Sequence, residues 1–264
     1  MATAPVFEER KISIGRVFQR AFSAIGQNPV VVLGLALIIG ALPSLIIGYL
    51  FVQAGLTSPQ ALASGAVSTS GFAAAIFLSS LVSVIISALV QAALTRAVVS
   101  ANEGRKVSFG ESLAAGFRSI LPLIGLSILF AFGVGIGFIL LIIPGIILLL
   151  MWAVAVPVLV IERPGVISSF SRSAELTKGA RWKILGLFLV LLVIYWLLTL
   201  VMGLVGLSTY GASATGFSVA NLVGGLVAGT AFNILWGTIQ PSLYVELRQA
   251  KEGVAATDLE QVFA

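Results

Sequence analysis

Leu141-Ile-Ile-Pro-Gly145 opens an uncharged apolar run that lasts to Ile161, where Glu162-Arg-Pro-Gly165 ends it. A short amphipathic segment follows, closing on Thr177-Lys-Gly179, and a new apolar run begins at Trp182. In order, this reads as a membrane helix, a charged hinge at one membrane face, a surface helix and re-entry into the bilayer. The rest of the chain repeats that order.

Composition sets the class. Of 264 residues, 59% are hydrophobic and 9% charged, with a mean hydropathy of +1.12. Soluble domains carry about 25% charged residues, so this chain lacks the polar surface that water demands and reads as an integral membrane protein. It has no Cys and no His. Disulfides, thiolate or imidazole metal sites, Cys nucleophiles and imidazole bases are thereby excluded.

The charges are sharply placed. Residues 21–95, 119–161 and 184–245 contain no Asp, Glu, Lys or Arg. A charge at mid-bilayer costs roughly 2.5–3.5 kcal/mol on insertion scales, and a helical crossing takes about 20 residues. Each block therefore holds a pair of crossings, expected at 29–52, 72–95, 121–140, 144–161, 183–207 and 217–244. The Lys and Arg residues fall before the first block, between blocks and after the last, whereas connections 53–71 and 208–216 carry none. The positive-inside rule puts the basic segments and both termini in the cytoplasm. The expected fold is an all-α integral membrane protein of six transmembrane helices. These form three hairpins, each preceded by a cytoplasmic amphipathic surface helix. The whole is one domain over 1–264, with an N-terminal part to 28, a membrane region at 29–247 and a tail from 248.

The first surface helix is expected at 12–26. Ile14, Val17, Phe18, Ala21, Phe22 and Ile25 follow helical spacing, with Arg16 and Arg20 on another face, as in a basic helix lying on a membrane. It serves as a topology anchor or as a lipid contact. The second is expected at 108–119, where Ser108-Phe-Gly-Glu111 is a capping box; the third is expected at 166–178. Within the first crossing, Pro43 predicts a kink and a carbonyl freed one turn back. In the middle block, Pro144-Gly145 places the outer turn at 141–145. The glycines at 133, 135 and 137 then mark close packing, and Pro157 predicts a kink near the inner end.

Ala75, Ser79, Ser83, Ser87, Gln91 and Thr95 stand four apart along the second crossing; Gly225, Gly229, Asn233 and Gly237 do the same on the sixth. Small and hydroxyl residues at this spacing allow helices to approach and hydrogen-bond. Ser83, Ser87, Gln91, Asn233 and Gln240 are therefore candidate packing residues, with a polar lining as the other reading. On the charged face, Glu162, Arg172, Glu175, Lys178 and Arg181 cluster. Glu162 is expected to pair with Arg172, which leaves Lys178, Arg181 and Lys183 for anionic headgroups.

A weak internal repeat supports three units. Phe18-Gln-Arg20 aligns with Phe170-Ser-Arg172, and at one offset Gly34, Gly125 and Gly186 follow Phe18, Phe109 and Phe170. Ile143-Pro-Gly-Ile146, the run from Pro157 to Glu162, and Ser171-Arg-Ser-Ala-Glu-Leu-Thr-Lys-Gly179 followed by Trp182 resemble a bacterial family. It is the six-helix membrane domain attached to some glycerophosphodiester phosphodiesterases, related to the YciC-type inner-membrane proteins. The strongest likeness covers residues 140–190. It implies an inner-membrane domain of undefined activity, and no catalytic residue carries over.

The chemistry inventory agrees. Zinc-protease and Ser–His protease sites need His, Asp258 is the one Asp, and no phosphate-cradling Gly-Lys-Ser/Thr loop occurs. No enzyme, cofactor or nucleic-acid partner is expected. The leading function is a non-catalytic inner-membrane protein that organises lipids or partner proteins through its surface helices. The alternative is a facilitator or lipid-handling transporter with a neutral pathway between helices two and six.

Overall fold

The computed structural model describes residues 12–56, 64–65, 68–210 and 219–252, with the side chains of 205–210 and 219–223 left aside. The outer connections around Ser58 and Ser213 and the tail holding Asp258 lie outside the described residues. All regular structure among them is helical. We label the helices α1 (Ile14–Gln27), α2 (Pro29–Gln53), α3 (Thr69–Asn102), α4 (Phe109–Leu140), α5 (Ile142–Met151), α6 (Ala155–Ile161), α7 (Val166–Thr177), α8 (Arg181–Tyr210) and α9 (Val219–Glu252). Five stretches are long and apolar enough to cross a membrane: α2, α3, α4, the α5–α6 pair and α8 as far as Leu204.

Helix α2 begins where Pro29 supplies a preset first turn after Asn28. It widens into π geometry over Leu35–Ala41, just ahead of Pro43. A proline cannot donate to the carbonyl four residues back, and wider turns absorb such a mismatch. Ser44 Oγ then donates to the Gly40 carbonyl at 2.8 Å. Seven residues of π geometry thus stand immediately upstream of the position where Pro43 predicted a kink.

The expected surface helix at 108–119 is not a separate element. Ser108 caps α4 reciprocally with Glu111, and the helix then runs unbroken through Pro122 to Leu140. The box starts a helix, and neither Gly116 nor Pro122 ends it. By contrast, α7 is separate from α6. Arg163 (φ 53°) and Gly165 (φ 98°) take left-handed backbone between them, which stops one helix and redirects the next.

The turn between α4 and α5 is tighter than the predicted 141–145. Leu141 alone leaves helical geometry, at φ −163° and ψ 145°. Such a turn demands contact between backbones: a Cβ on Gly137 would lie 2.9 Å from Gly145 Cα, and one on Gly133 would lie 2.5 Å from the Trp152 ring. The fourth crossing then breaks at residues 152–154, ahead of Pro157. Its loosened backbone is satisfied from α7. Ser173 Oγ donates to the Met151 carbonyl at 2.8 Å and accepts from Val154 N at 3.2 Å, and Thr177 Oγ1 donates to Met151 O at 3.3 Å. Non-helical backbone at membrane depth needs such partners. Ser169, Ser173 and Thr177 are accordingly fully buried, so α7 is built into the helix bundle rather than laid over it.

The core gathers at the charged end. Val99, Val154, Leu176, Ile184, Ile239, Leu243 and Leu247 are buried there, while Phe77, Leu78, Ile139, Leu140, Val193 and Trp196, toward the other end, are exposed. The helices pack tightly at one end and present apolar flanks at the other. Helix α1 joins the core: Val17, Ala21 and Ala24 are buried, and α1 packs on α9 and α3. Its apolar stripe is spent on protein, with Phe22 left exposed, so the expected helix lying freely on the membrane is corrected.

Three equivalent glycines each seat the start of another segment. A Cβ on Gly34 would stand 3.4 Å from the Phe109 ring, one on Gly125 would stand 3.8 Å from Val166 Cγ2, and one on Gly186 would stand 3.3 Å from Ile14 Cδ1. Each partner is the first residue of its helix: α4, α7 and α1. Helix α2 thus receives the start of α4, α4 receives the start of α7, and α8 receives the start of α1.

Candidate functional site

The two small-residue stripes meet only at one end. Gln91 Nε2 donates to Gln240 Oε1, and Gly237 lies so close to Leu94 that a Cβ there would be 2.5 Å from Leu94 Cδ1. Away from the charged end α3 and α9 separate, and the π segment of α2 forms the third wall. The space between them is a cavity of about 390 Å³, with Ser44, Ser83, Ser87, Gln91, Thr230 and Asn233 in its lining. Close packing along Ser83, Ser87, Gly229 and Asn233 is therefore corrected to a groove wall. Asn233 does not bridge helices; its Nδ2 donates to the Gly229 carbonyl at 2.9 Å. The stripes were readable in the sequence, but the intrusion of α2 was not, because Ala36 and Gly40 look like ordinary membrane residues.

At the charged end, two ion-pair groups hold the end of α9. The first is centred on Glu246, only 4% exposed. Arg16 Nε reaches Glu246 Oε1 at 2.6 Å and Arg20 Nε reaches Oε2 at 3.1 Å. Arg20 also donates to Asn102 Oδ1 at 3.5 Å and to Gln249. Both arginines, candidates for lipid contact, are thus engaged with a buried carboxylate. Sequence reading passed over Glu246, although it is the first charge after the last uncharged block.

The second group contains the Glu162–Arg172 pair, with Arg172 Nε donating to Glu162 Oε2 at 3.0 Å. Arg172 also meets Glu175, at 3.7 Å, and Glu252. Tyr244 donates to Glu162 Oε1 at 2.8 Å, and Arg248 reaches Glu252 Oε2 at 2.8 Å. The pair thus belongs to a network tying α7 and the end of α6 to α9. Burial works against the Glu252 anion, but hydrogen bonds from Arg248 and Arg172 outweigh it and hold the carboxyl below its ordinary range.

Lys178, Arg181 and Lys183 stand apart from this network. Lys178 and Lys183 are exposed and Arg181 is half-buried. None of the three forms an ion pair among the described residues. Trp182 between them is 85% exposed, and Ile167 is also exposed. Among the described residues no group of three or more His, Cys, Asp or Glu side chains is placed to hold a metal ion.

No protein-family model, curated protein or solved structure matches the chain.

Proposed function

We propose that this is a non-catalytic protein of a bacterial inner membrane, related to the six-helix family named above, that organises anionic lipid at its charged face. In this reading α9 supplies a sixth crossing, the spans form three hairpins, and both termini are cytoplasmic, as the one-sided basic segments imply. The observation that carries it is a division of labour among cations. Arg172 is surrounded by Glu162, Glu175 and Glu252, whereas Lys178, Arg181 and Lys183 have no carboxylate partner among the described residues and stand beside an exposed Trp182. A tryptophan at this level suits the membrane–water interface, and cations next to it attract anionic headgroups.

Near an anionic surface each Lys or Arg contributes about 1 kcal/mol. Changing Lys178, Arg181 and Lys183 together to Gln is therefore expected to lower co-purifying phosphatidylglycerol about tenfold or more, measured by mass spectrometry of protein extracted in native lipid. Unchanged retention would reduce the cluster to a topology signal.

Topology has its own test. Cysteines at Ser108 and Ser171 are expected to label only from the cytoplasmic side, and cysteines at Ser58 and Ser213 from outside. Ser171 is exposed, whereas the nearby Ser169 is buried and donates to the Gly165 carbonyl. Labelling of Ser171 from outside would sink the six-span reading.

The groove supports a second reading, a facilitator or lipid-handling transporter. Toward the charged end the Gln91–Gln240 pair and the Leu94–Gly237 contact close it. Transport in this reading requires those contacts to part. Flux of a neutral solute or lipid in proteoliposomes separates the two functions.

A further inference from the structure

We infer that the groove between α2, α3 and α9 is a binding site for the head of an uncharged amphiphilic lipid of the diacylglycerol class. This is a separate site from the charged corner and stands whether or not that corner holds anionic lipid.

Four features of the groove point to this ligand. The first is charge. Among the described residues no ionisable side chain lines the cavity, and an ion placed among hydroxyls and amides within a membrane would lack a compensating partner. A phosphate head is therefore disfavoured where an alcohol is accepted.

The second is unspent hydrogen-bonding capacity. Ser79, Ser80 and Thr199, which do not line the groove, donate back to their own helices, at 2.9 Å, 2.7 Å and 3.0 Å. Such back-bonding is the ordinary way for a hydroxyl to sit in lipid. Of the hydroxyls that line the groove, Ser44 donates back to Gly40 O at 2.8 Å, whereas Ser83 and Ser87 have no hydrogen-bond partner among the described residues. The Gln91–Gln240 pair uses one donor and one acceptor. Whichever way the two amides are turned, donor and acceptor capacity is left over. A free hydroxyl on a glycerol backbone both donates and accepts, so it matches this floor.

The third is size and surroundings. About 390 Å³ lies at the small end of ligand pockets, which run roughly 300–1,000 Å³. It suits a glycerol head with its ester carbonyls. Ser83, Ser87, Gly229 and Asn233 are exposed on the open flank, and exposed Leu37, Val84 and Val227 stand nearby on the same three helices. Acyl chains would lie against these apolar flanks while the head points inward.

The fourth is backbone geometry. The wall from α2 is its π segment, which brings Ala36, Gly40 and Ala41 to the cavity instead of bulky side chains. Wide turns of this kind recur at functional sites.

The test uses the full chain in nanodiscs of phosphatidylethanolamine and phosphatidylglycerol, doped with a diazirine-bearing diacylglycerol. The matched control is a phosphatidylglycerol carrying the same diazirine. The diacylglycerol probe is expected to label peptides covering 83–91 and 225–236, and unlabelled diacylglycerol should remove that labelling. Ser87→Leu, which fills the groove, should lower it about tenfold. Gln91→Leu combined with Gln240→Leu removes the polar floor without stranding either amide and should lower it similarly. Equal labelling of these peptides by the phosphatidylglycerol probe would overturn the proposal. So would labelling spread evenly along the spans, or labelling that unlabelled diacylglycerol leaves unchanged. The competition arm needs no variant, so a misfolded substitution does not protect the idea.

Discussion

Replacing Glu246 by alanine is expected to lower the stability of the protein more than any other charge removal at this face. Both carboxylate oxygens are occupied, by Arg16 at 2.6 Å and Arg20 at 3.1 Å, and the carboxylate is buried. Breaking a buried pair by deleting one partner costs about 3–5 kcal/mol, because the remaining charge is left without compensation. Here the two arginines are 37% and 21% exposed, so water recovers part of the loss and about 2–4 kcal/mol is expected. The measurement is thermal unfolding in mild detergent, alongside disulfide trapping of α1 against α9. Glu252→Ala is the control, since exposed ion pairs are worth about 0–1 kcal/mol. Equal effects from the two variants would show that burial of Glu246 does not set its weight.

Gly137→Ala carries the second large effect. The new methyl would stand 2.9 Å from Gly145 Cα and 3.1 Å from Gly145 N, so it meets the backbone of α5 across a turn of one residue. Backbone at such a turn has no rotamer to change. Overpacking of this kind costs about 1–3 kcal/mol, and here it would also pry Trp152 from its seat on Gly133. Gly135 provides an internal comparison on the same helix: a Cβ there meets nothing within 4 Å. Gly135→Ala is expected to be neutral or slightly stabilising, since alanine is the better helix former. Matching melting temperatures for the two variants would mean that α4 and α5 do not touch as closely as Gly137 and Gly145 imply.

The parts of the fold readable from sequence are those governed by the cost of charge in lipid. The uncharged blocks bound the apolar runs, and Pro29 and Ser108 mark helix starts that the structure keeps. Helix ends were less legible. Helix α3 runs on to Asn102 and α9 to Glu252, because leaving the membrane core removes an energetic constraint without breaking a helix. The interruption at residues 152–154 was half legible: Pro157 announced a break near the inner end, but not how it is satisfied. Nothing in Trp152-Ala-Val154 is a helix breaker; the partners that satisfy it, Ser173 and Thr177, lie on another helix. The candidate site divides along the same line. Spacing picked out Ser83, Ser87 and Gln91, but whether such a stripe closes or gapes depends on a third helix and its π turn. Likewise, Arg16 and Arg20 were visible as a basic face, while the carboxylate that takes them up lies near the other end of the chain.

The three glycine seats also impose a timetable. Gly34 can receive Phe109, and Gly125 can receive Val166, as soon as the neighbouring helices have been made. The seat on Gly186 joins α1 to α8, across most of the chain, and Glu246 fixes α1 still later. Contacts between such distant segments form after local ones, because the intervening chain must first be confined. Helix α1 precedes its partners in the chain and is therefore expected to dock last. Once docked, it acts as the clasp between the first described helix and the last.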